Sequence, residues 1–241
     1  AAQGAELGFT YQGEVFKKRV EPLVASIGGS KVIVECDVTN ESAIDTTFAE
    51  IKKLWGNFDF LVHAVAYSNK EELKGRYCDT TLENFLNSMH ISCYSFTSVA
   101  RRAAAMMPKG GSMLTLSYIG SERVIPNYNV MGVAKAALEA SVRYLAGDFG
   151  ANNIRVHGLS AGPMKTLAGS AIANARYTFR TAEQTAALNR SVTLEDIGNT
   201  AVYLLSDMSS GTSGEMHYVD AGFRCMGMLP PGRIAAETDV E

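Results

Sequence analysis

Apolar positions come in short runs separated by longer stretches of helical character. Leu7–Tyr11, Lys31–Cys36, Phe58–Ala66, Ser112–Leu116, Asn153–Leu159 and Gly214–Asp220 predict strands. Phe58–Ala66 is apolar nearly throughout, as a strand covered on both faces must be. Gly13–Ile27, Ser42–Trp55, Thr81–Met107, Tyr128–Asp148 and Glu195–Asp207 predict helices. Ser42–Trp55 places Ile44, Phe48, Ile51 and Trp55 on roughly one side. Thr81–Met107 stops at Pro108-Lys109-Gly110-Gly111, and its Met106-Met107 pair suits a core. Asn127, just after Pro126, is the expected cap of the helix opening at Tyr128. Ala1–Glu6 has the character of a helix end stopped by Gly4. Ser68–Thr80 is polar and predicts a loop. Leu167–Asn189 is the least regular segment, and the tail from Leu229 is polar and expected to fray. Strands alternating with helices imply an α/β fold. The expectation is a Rossmann-type doubly wound parallel sheet in a single domain spanning residues 1–241, with 167–189 as a small helical lid.

Composition narrows the class. A chain of 241 residues, 46% hydrophobic, can bury a large core. The formal charge of −3 gives no reason to expect a nucleic-acid partner. Cys36, Cys78, Cys93 and Cys225 are scattered, with no CxxC, as thiols in a reducing, cytoplasmic compartment would be. His63, His90, His157 and His217 lack zinc-ligand spacing, so no metal is expected, and His63 reads as a packed strand residue. No apolar run reaches membrane-spanning length, and no membrane partner is expected.

The candidate chemistry lies in Ser117–Lys135, a strand exit, a loop closed by Pro126 and a helix opening. Tyr128 and Lys135 are seven residues apart, about two helical turns, and would share a face. Tyr118 leaves the strand toward the same space. Two phenols and an ammonium would then meet at the carboxyl end of a strand, where open α/β sheets bind ligands. A neutral tyrosine can hydrogen-bond an oxygen that gains negative charge. A nearby lysine would favour phenolate character and could hold a ribose hydroxyl. An ordinary amphipathic pair would have the same spacing. The turn Ser160-Ala161-Gly162-Pro163 adds small residues and backbone donors suited to close approach of a ligand, and Thr166 adds a hydroxyl.

The stretch Tyr118…Tyr128…Lys135, with Pro126-Asn127-Tyr128-Asn129-Val130-Met131-Gly132, resembles the short-chain dehydrogenase/reductase family. More narrowly it resembles the bacterial NADH-dependent enoyl-acyl-carrier-protein reductases. The broad family has its tyrosine four residues before the lysine, where this chain has Met131. The enoyl reductases have it seven before, with a second tyrosine ten earlier, as Tyr128 and Tyr118 stand here. Ser160–Leu167 matches a second family pattern, and the resemblance covers nearly the whole chain. It implies NADH-dependent reduction of trans-2-enoyl thioesters on acyl carrier protein in fatty-acid elongation.

By the same resemblance Tyr128 stabilises the thioester oxygen, Lys135 holds the nicotinamide ribose and Tyr118 shapes the pocket, with Ser68 near the substrate. Asp37 and Val38 lie against adenine, although Asp37 also suits a cap or turn before the next helix, where Thr39 or Asn40 could serve equally. Gln12, a neutral amide after the first strand, suits a ribose without a 2′-phosphate. Val65 offers backbone contact, Ala64 replaces the usual serine, and Ala161, Gly162, Met164 and Thr166 line the nicotinamide side. The family's first strand and Gly-rich turn are not in the sequence and are expected to precede it. A homotetramer is implied, with Thr81–Met107 and Tyr128–Asp148 as contact surfaces. Leu167–Arg180 is the expected lid. From Phe149 to Ala182 there is no acidic residue, while Arg155, Lys165, Arg176 and Arg180 occur, a positive balance suited to an acidic carrier protein. Two alternatives stay open: a carbonyl reductase of the same fold, which Met131 opposes, and a non-catalytic dinucleotide-binding protein.

Overall fold

A computed structural model describes residues 1–30, 32–164, 166 and 175–228. Among them lie strands β1 (Phe9–Tyr11), β2 (Ile33–Glu35), β3 (Phe60–His63), β4 (Gly111–Ser117), β5 (Ile154–Ala161) and β6 (Met216–Val219). The helices are α1 (Gly13–Ser26), α2 (Glu41–Trp55), α3 (Leu82–Met89), α4 (Ser95–Ala104), α5 (Val130–Gly150), α6 (Ala175–Thr185) and α7 (Leu194–Leu205). Every ladder is parallel. β1 pairs with β2, and β3-β4-β5-β6 form a second run in sequence order.

Alternation along β4 and β5 gives the sheet its two covered faces. Met113 and Val156 pack with Phe96, Ala100 and Ala103 of α4 and Leu138 and Val142 of α5. Leu114 and Leu159 point the other way, onto Leu204, Ala201 and Ile197 of α7. Cys36, Ile44 and Val99, with Phe48 and Leu61, join the β1–β2 pair to the larger sheet. This is the expected doubly wound parallel architecture. Met106 and Met107 are buried, as the sequence suggested.

Several local expectations need correction. The apolar run Phe58–Ala66 contributes only Phe60–His63 to the ladder; Asp59, Ala64 and Ala66 outside it are exposed, so apolar composition outruns both pairing and burial. Thr81–Met107 is not one regular helix. A π-helical turn, His90–Tyr94, separates α3 from α4, and Ser95 Oγ donates to Ile91 O at 2.6 Å beside it. Asn127 does not cap a helix at Tyr128. Asn127 and Asn129 have φ of 63° and 41°, left-handed values that asparagine tolerates, and α5 begins only at Val130. Residues 1–4 form a turn, with Gly4 N donating to Ala1 O, rather than helical residues. Asn40 is the cap of α2, its Oδ1 accepting from Ser42 N and Ala43 N at 2.9 and 3.2 Å. Lys31, Lys165, residues 167–174 and the tail from Leu229 lie outside the described residues; the first part of the expected lid is among them.

Candidate active site

Parallel pairing sets the carboxyl ends of β1 and β2 side by side, and those of β3, β4, β5 and β6 along one edge of the larger sheet. Gln12 follows β1, Asp37-Val38 follows β2, Val65 follows β3, Tyr118 follows β4, and Ala161, Gly162, Met164 and Thr166 end or follow β5. Gln12 and Asp37 therefore meet at the end of the β1–β2 pair, while Val65, Tyr118, Ala161, Gly162, Met164 and Thr166 lie along the rim of the larger sheet.

At its centre the Tyr118 and Tyr128 rings meet edge to face, centroids 4.9 Å apart at 75°. Tyr128 sits in an apolar cluster with Leu73, Val130 and Met131. No hydrogen bond to its hydroxyl is present among the described residues, so the donor is free for a ligand. Burial pushes the Tyr128 phenol above its ordinary range, and the nearby Tyr118 and Glu139 add to the rise. Burial likewise lifts Tyr118 to about 12. Both phenols are neutral donors at physiological pH. Tyr128 is thus the neutral donor the sequence suggested, and its desolvation outweighs the pull toward phenolate expected of Lys135. Tyr128 does not share a helical face with Lys135, since it precedes α5 and is brought in by the Asn127 and Asn129 turns.

Lys135 is 6% exposed, on the buried side of α5. Its Nζ donates to Leu116 O at 2.7 Å, which leaves two of its three donors. Burial pulls its pKa down to about 8, opposed by Cys93 and Glu139.

Two glycines permit the tyrosine arrangement. A Cβ on Gly120 would lie 2.3 Å from Tyr128 Cδ1 and 2.7 Å from Cε1. A Cβ on Gly132 would lie 2.6 Å from Gly120 O, so the first turn of α5 rests on the loop carrying Tyr118. Asn129 Nδ2 donates to Glu72 O at 3.2 Å and Gly75 O at 3.4 Å, tying the Ser68–Thr80 loop to the site.

The other predicted residues are placed as follows. Gln12 Nε2 donates to Asp37 Oδ2 at 3.0 Å. Asp37 Oδ1 accepts from Thr39 N at 2.9 Å and Thr39 Oγ1 at 2.7 Å, the turn role open to it, and these bonds hold its carboxyl below the usual range. Val65 is half-buried between exposed Ala64 and Ala66. Next to it, Ser92 of the π turn donates to Tyr67 O and accepts from Tyr67 N, both at 2.9 Å. Ser68 Oγ exchanges bonds with the Asn84 amide at 3.2–3.3 Å. Gly162 N donates to Val219 O at 2.8 Å, fixing the turn after β5. His63 is buried between Thr115 Oγ1 at 3.0 Å and Ser95 Oγ at 2.9 Å, its pKa lowered to about 3 by burial, a packed neutral histidine.

Arg155 does not join Arg176 and Arg180. Its guanidinium donates to Leu204 O and Ser209 O at 3.0 Å and Ser206 O at 2.9 Å, closing the end of α7. Arg176 and Arg180 are exposed, one turn apart on α6. Sequence reasoning missed Gly120, Gly132, Asn129 and the buried Ser117–Glu139 pair. The available signals were a glycine inside an Ala-rich helix and an acid one turn after Lys135.

Residues 1–224 match the family described as enoyl-(acyl carrier protein) reductase. The chain belongs to that family. It is similar to enoyl-[acyl-carrier-protein] reductase [NADH] 2 of Rhizobium meliloti (strain 1021), 56% identical over 228 residues, 95% of this chain and 85% of the relative. FabI from Candidatus Liberibacter asiaticus superposes with a TM-score of 0.93 at 48% identity, covering 95% of this chain and 88% of its own. The enoyl-(acyl-carrier-protein) reductase of Anaplasma phagocytophilum, solved with NAD, gives 0.91 at 55% identity, with 95% and 87% covered. Within this family member Met131, buried against Tyr128, stands four residues before the lysine and offers a thioether, not a hydroxyl.

Proposed function

We propose that the chain reduces the trans-2 double bond of enoyl thioesters on acyl carrier protein, with NADH as cofactor. The observation that carries this reading is the neutral, buried Tyr128 with an unpartnered hydroxyl, edge to face with Tyr118 at the end of β4. A carbonyl reductase would need a proton-donating group at Met131, which has none.

The residues at the rim fit a nicotinamide dinucleotide. Lys135 keeps two donors for ribose hydroxyls. Val65 presents backbone between exposed alanines, and Ala161, Gly162, Met164 and Thr166 stand at or just beyond the end of β5. Gln12 and Asp37 hydrogen-bond each other and supply no positive charge for a 2′-phosphate, which supports NADH. Asp37 and Val38 flank the adenine side. Bound NADH supplies the hydride that reaches the β-carbon of the substrate. As charge moves to the thioester oxygen as an enolate, Tyr128 donates its hydrogen bond there, and a proton from solvent added at the α-carbon completes the reduction. Tyr118 walls the pocket, and Ser68 lies in the loop that Asn129 ties to it.

The α6 helix is the described part of the substrate lid. Exposed Arg176 and Arg180 steer an acidic carrier protein. Exposed Leu82, Leu86 and Tyr94 on the α3–α4 segment and Tyr144 on α5 support a homotetramer assembled through these helices. Cys36, Cys78, Cys93 and Cys225 are free thiols, which suits a reducing cytoplasm.

The test is turnover of a crotonyl thioester with NADH, against a simple ketone, by wild type and Tyr128→Phe. Thioester turnover with no ketone turnover is expected. Tyr128→Phe should lower kcat about 100-fold with little change in NADH affinity. Full activity of Tyr128→Phe would reassign the oxygen-stabilising role to Tyr118.

A further inference from the structure

Behind Lys135 lies a carboxylate that the reaction described above does not use. Glu139 is one helical turn further along α5, on the same buried face, and 7% exposed. Ser117 Oγ, the last residue of β4, donates to Glu139 Oε1 at 2.5 Å, a short charge-assisted bond. Ser117 immediately precedes Tyr118, and Leu116, whose carbonyl holds Lys135 Nζ, precedes Ser117. Two successive residues of one strand thus hold the lysine and the glutamate of one helix. A buried carboxylate with a single hydroxyl partner is costly to maintain unless its charge is used.

We propose that Glu139, anchored by Ser117, is a positioning residue that serves as the buried counter-charge of Lys135 and keeps it an ammonium for the cofactor ribose. This rests on the reading of Lys135 as the ribose-holding residue. The surroundings otherwise disfavour that charge. Burial is the largest influence, drawing the lysine to about 8. His63 on β3 is neutral, Tyr118 and Tyr128 stay protonated, and the Cys93 thiol of the π turn is raised by burial. Tyr218 on β6, which feels the Glu139 charge, also stays protonated, held high by burial and by its bond to Glu122. Glu139 is the remaining group of opposite sign, and it raises Lys135. A lysine lowered by burial is charged below its pKa and neutral above it. Removing the Glu139 charge therefore moves the loss of charge to lower pH.

The experiment titrates the ε-carbon resonance of Lys135 in ¹³C-lysine-labelled full-length protein, assigned by its absence in Lys135→Met. The same pH series measures the Kd for NADH by fluorescence. Wild type should titrate near 8. E139Q, which keeps the shape and can still accept from Ser117, should titrate lower by about one unit. Its Kd should match wild type at low pH and be about threefold weaker near pH 7.5, the ratio of charged lysine that a one-unit shift leaves. Glu139→Asp should restore most of the shift. If E139Q does not fold, Glu139→Met removes the charge with an apolar chain of similar length and serves in its place. An unchanged Lys135 titration in the neutral variant overturns the counter-charge, whatever happens to binding. A shifted titration, with NADH affinity unchanged in both the variant and Lys135→Met, keeps the counter-charge and overturns the ribose-holding reading instead.

Discussion

Gly120→Ala probes how closely the tyrosine pair is built. The new Cβ would sit 2.3 Å from Tyr128 Cδ1 and 3.4 Å from Tyr118 Cδ1. Ordinary carbon contact needs at least ~3.5 Å, so the Tyr128 ring must retreat by about 1 Å. The ring cannot swing away easily, because Leu73, Val130, Met131 and Ile125 enclose it. Overpacking of this kind costs about 1–3 kcal/mol. For a chain of this length that lowers Tm by about 2–4 °C per kcal/mol. Displacing a hydroxyl that must meet a developing oxyanion by ~1 Å costs roughly 100-fold in kcat. Lys135 and the turn after β5 are untouched, so the Kd for NADH should hold. The assay is steady-state kinetics on a crotonyl thioester, with cofactor titration and a melting curve. Gly198→Ala is the control: nothing lies within 4 Å of its Cβ, it is exposed on α7, and it should stabilise by about 0.5–1 kcal/mol. Wild-type kcat in Gly120→Ala would show that the Tyr128 position does not govern turnover. Loss of NADH binding in step with kcat would show a collapse of the whole rim.

Charge reversal at Arg176 and Arg180 should slow reduction of enoyl-carrier protein, more so at low salt, while small enoyl thioesters react as before; equal loss on both would indicate a pocket defect. Arg155→Met should destabilise by about 2–4 kcal/mol in denaturant unfolding, because three carbonyls at the end of α7 lose a charged donor. The same variant should leave the ratio of carrier-protein to small-thioester activity unchanged, and a fall in that ratio would return Arg155 to the docking surface. Catalytic efficiency should favour NADH over NADPH, since Gln12 and Asp37 offer no cation to a 2′-phosphate; a preference for NADPH would contradict this.

Much of the fold was legible because parallel strands covered on both faces leave near-continuous apolar runs. β4 and β5 were found nearly to the residue by that signal. Strand ends were overextended where apolar residues continue past the paired ones, as at Phe58 and Ala66. The tyrosine–lysine spacing located the site but misdescribed its geometry. Tyr128 reaches its place through two asparagines in left-handed conformations, a backbone fact that helical periodicity cannot carry. The neutral hydroxyl of Tyr128 was anticipated, but the strength of its desolvation was not. Spacing reveals a nearby lysine but not the depth of burial that outweighs it. Arg155 counted toward a basic surface because composition ignores direction, and in β5 its side chain turns inward. Glu139 was hidden because one acid in an Ala-rich helix looks like a solvated residue until Ser117 is seen beneath it.

The shared direction of the strands also separates the molecule into a working end and a handling end. The amino-side turns at Pro108-Lys109 and Ala151–Asn153 are exposed, at the opposite ends of β4 and β5 from the tyrosines. A bead, dye or surface coupled there would hold the protein with its crevice facing outward. Lys109, an exposed amine in a short tight turn, is the natural attachment point for an oriented array or sensor in which substrate access is unobstructed.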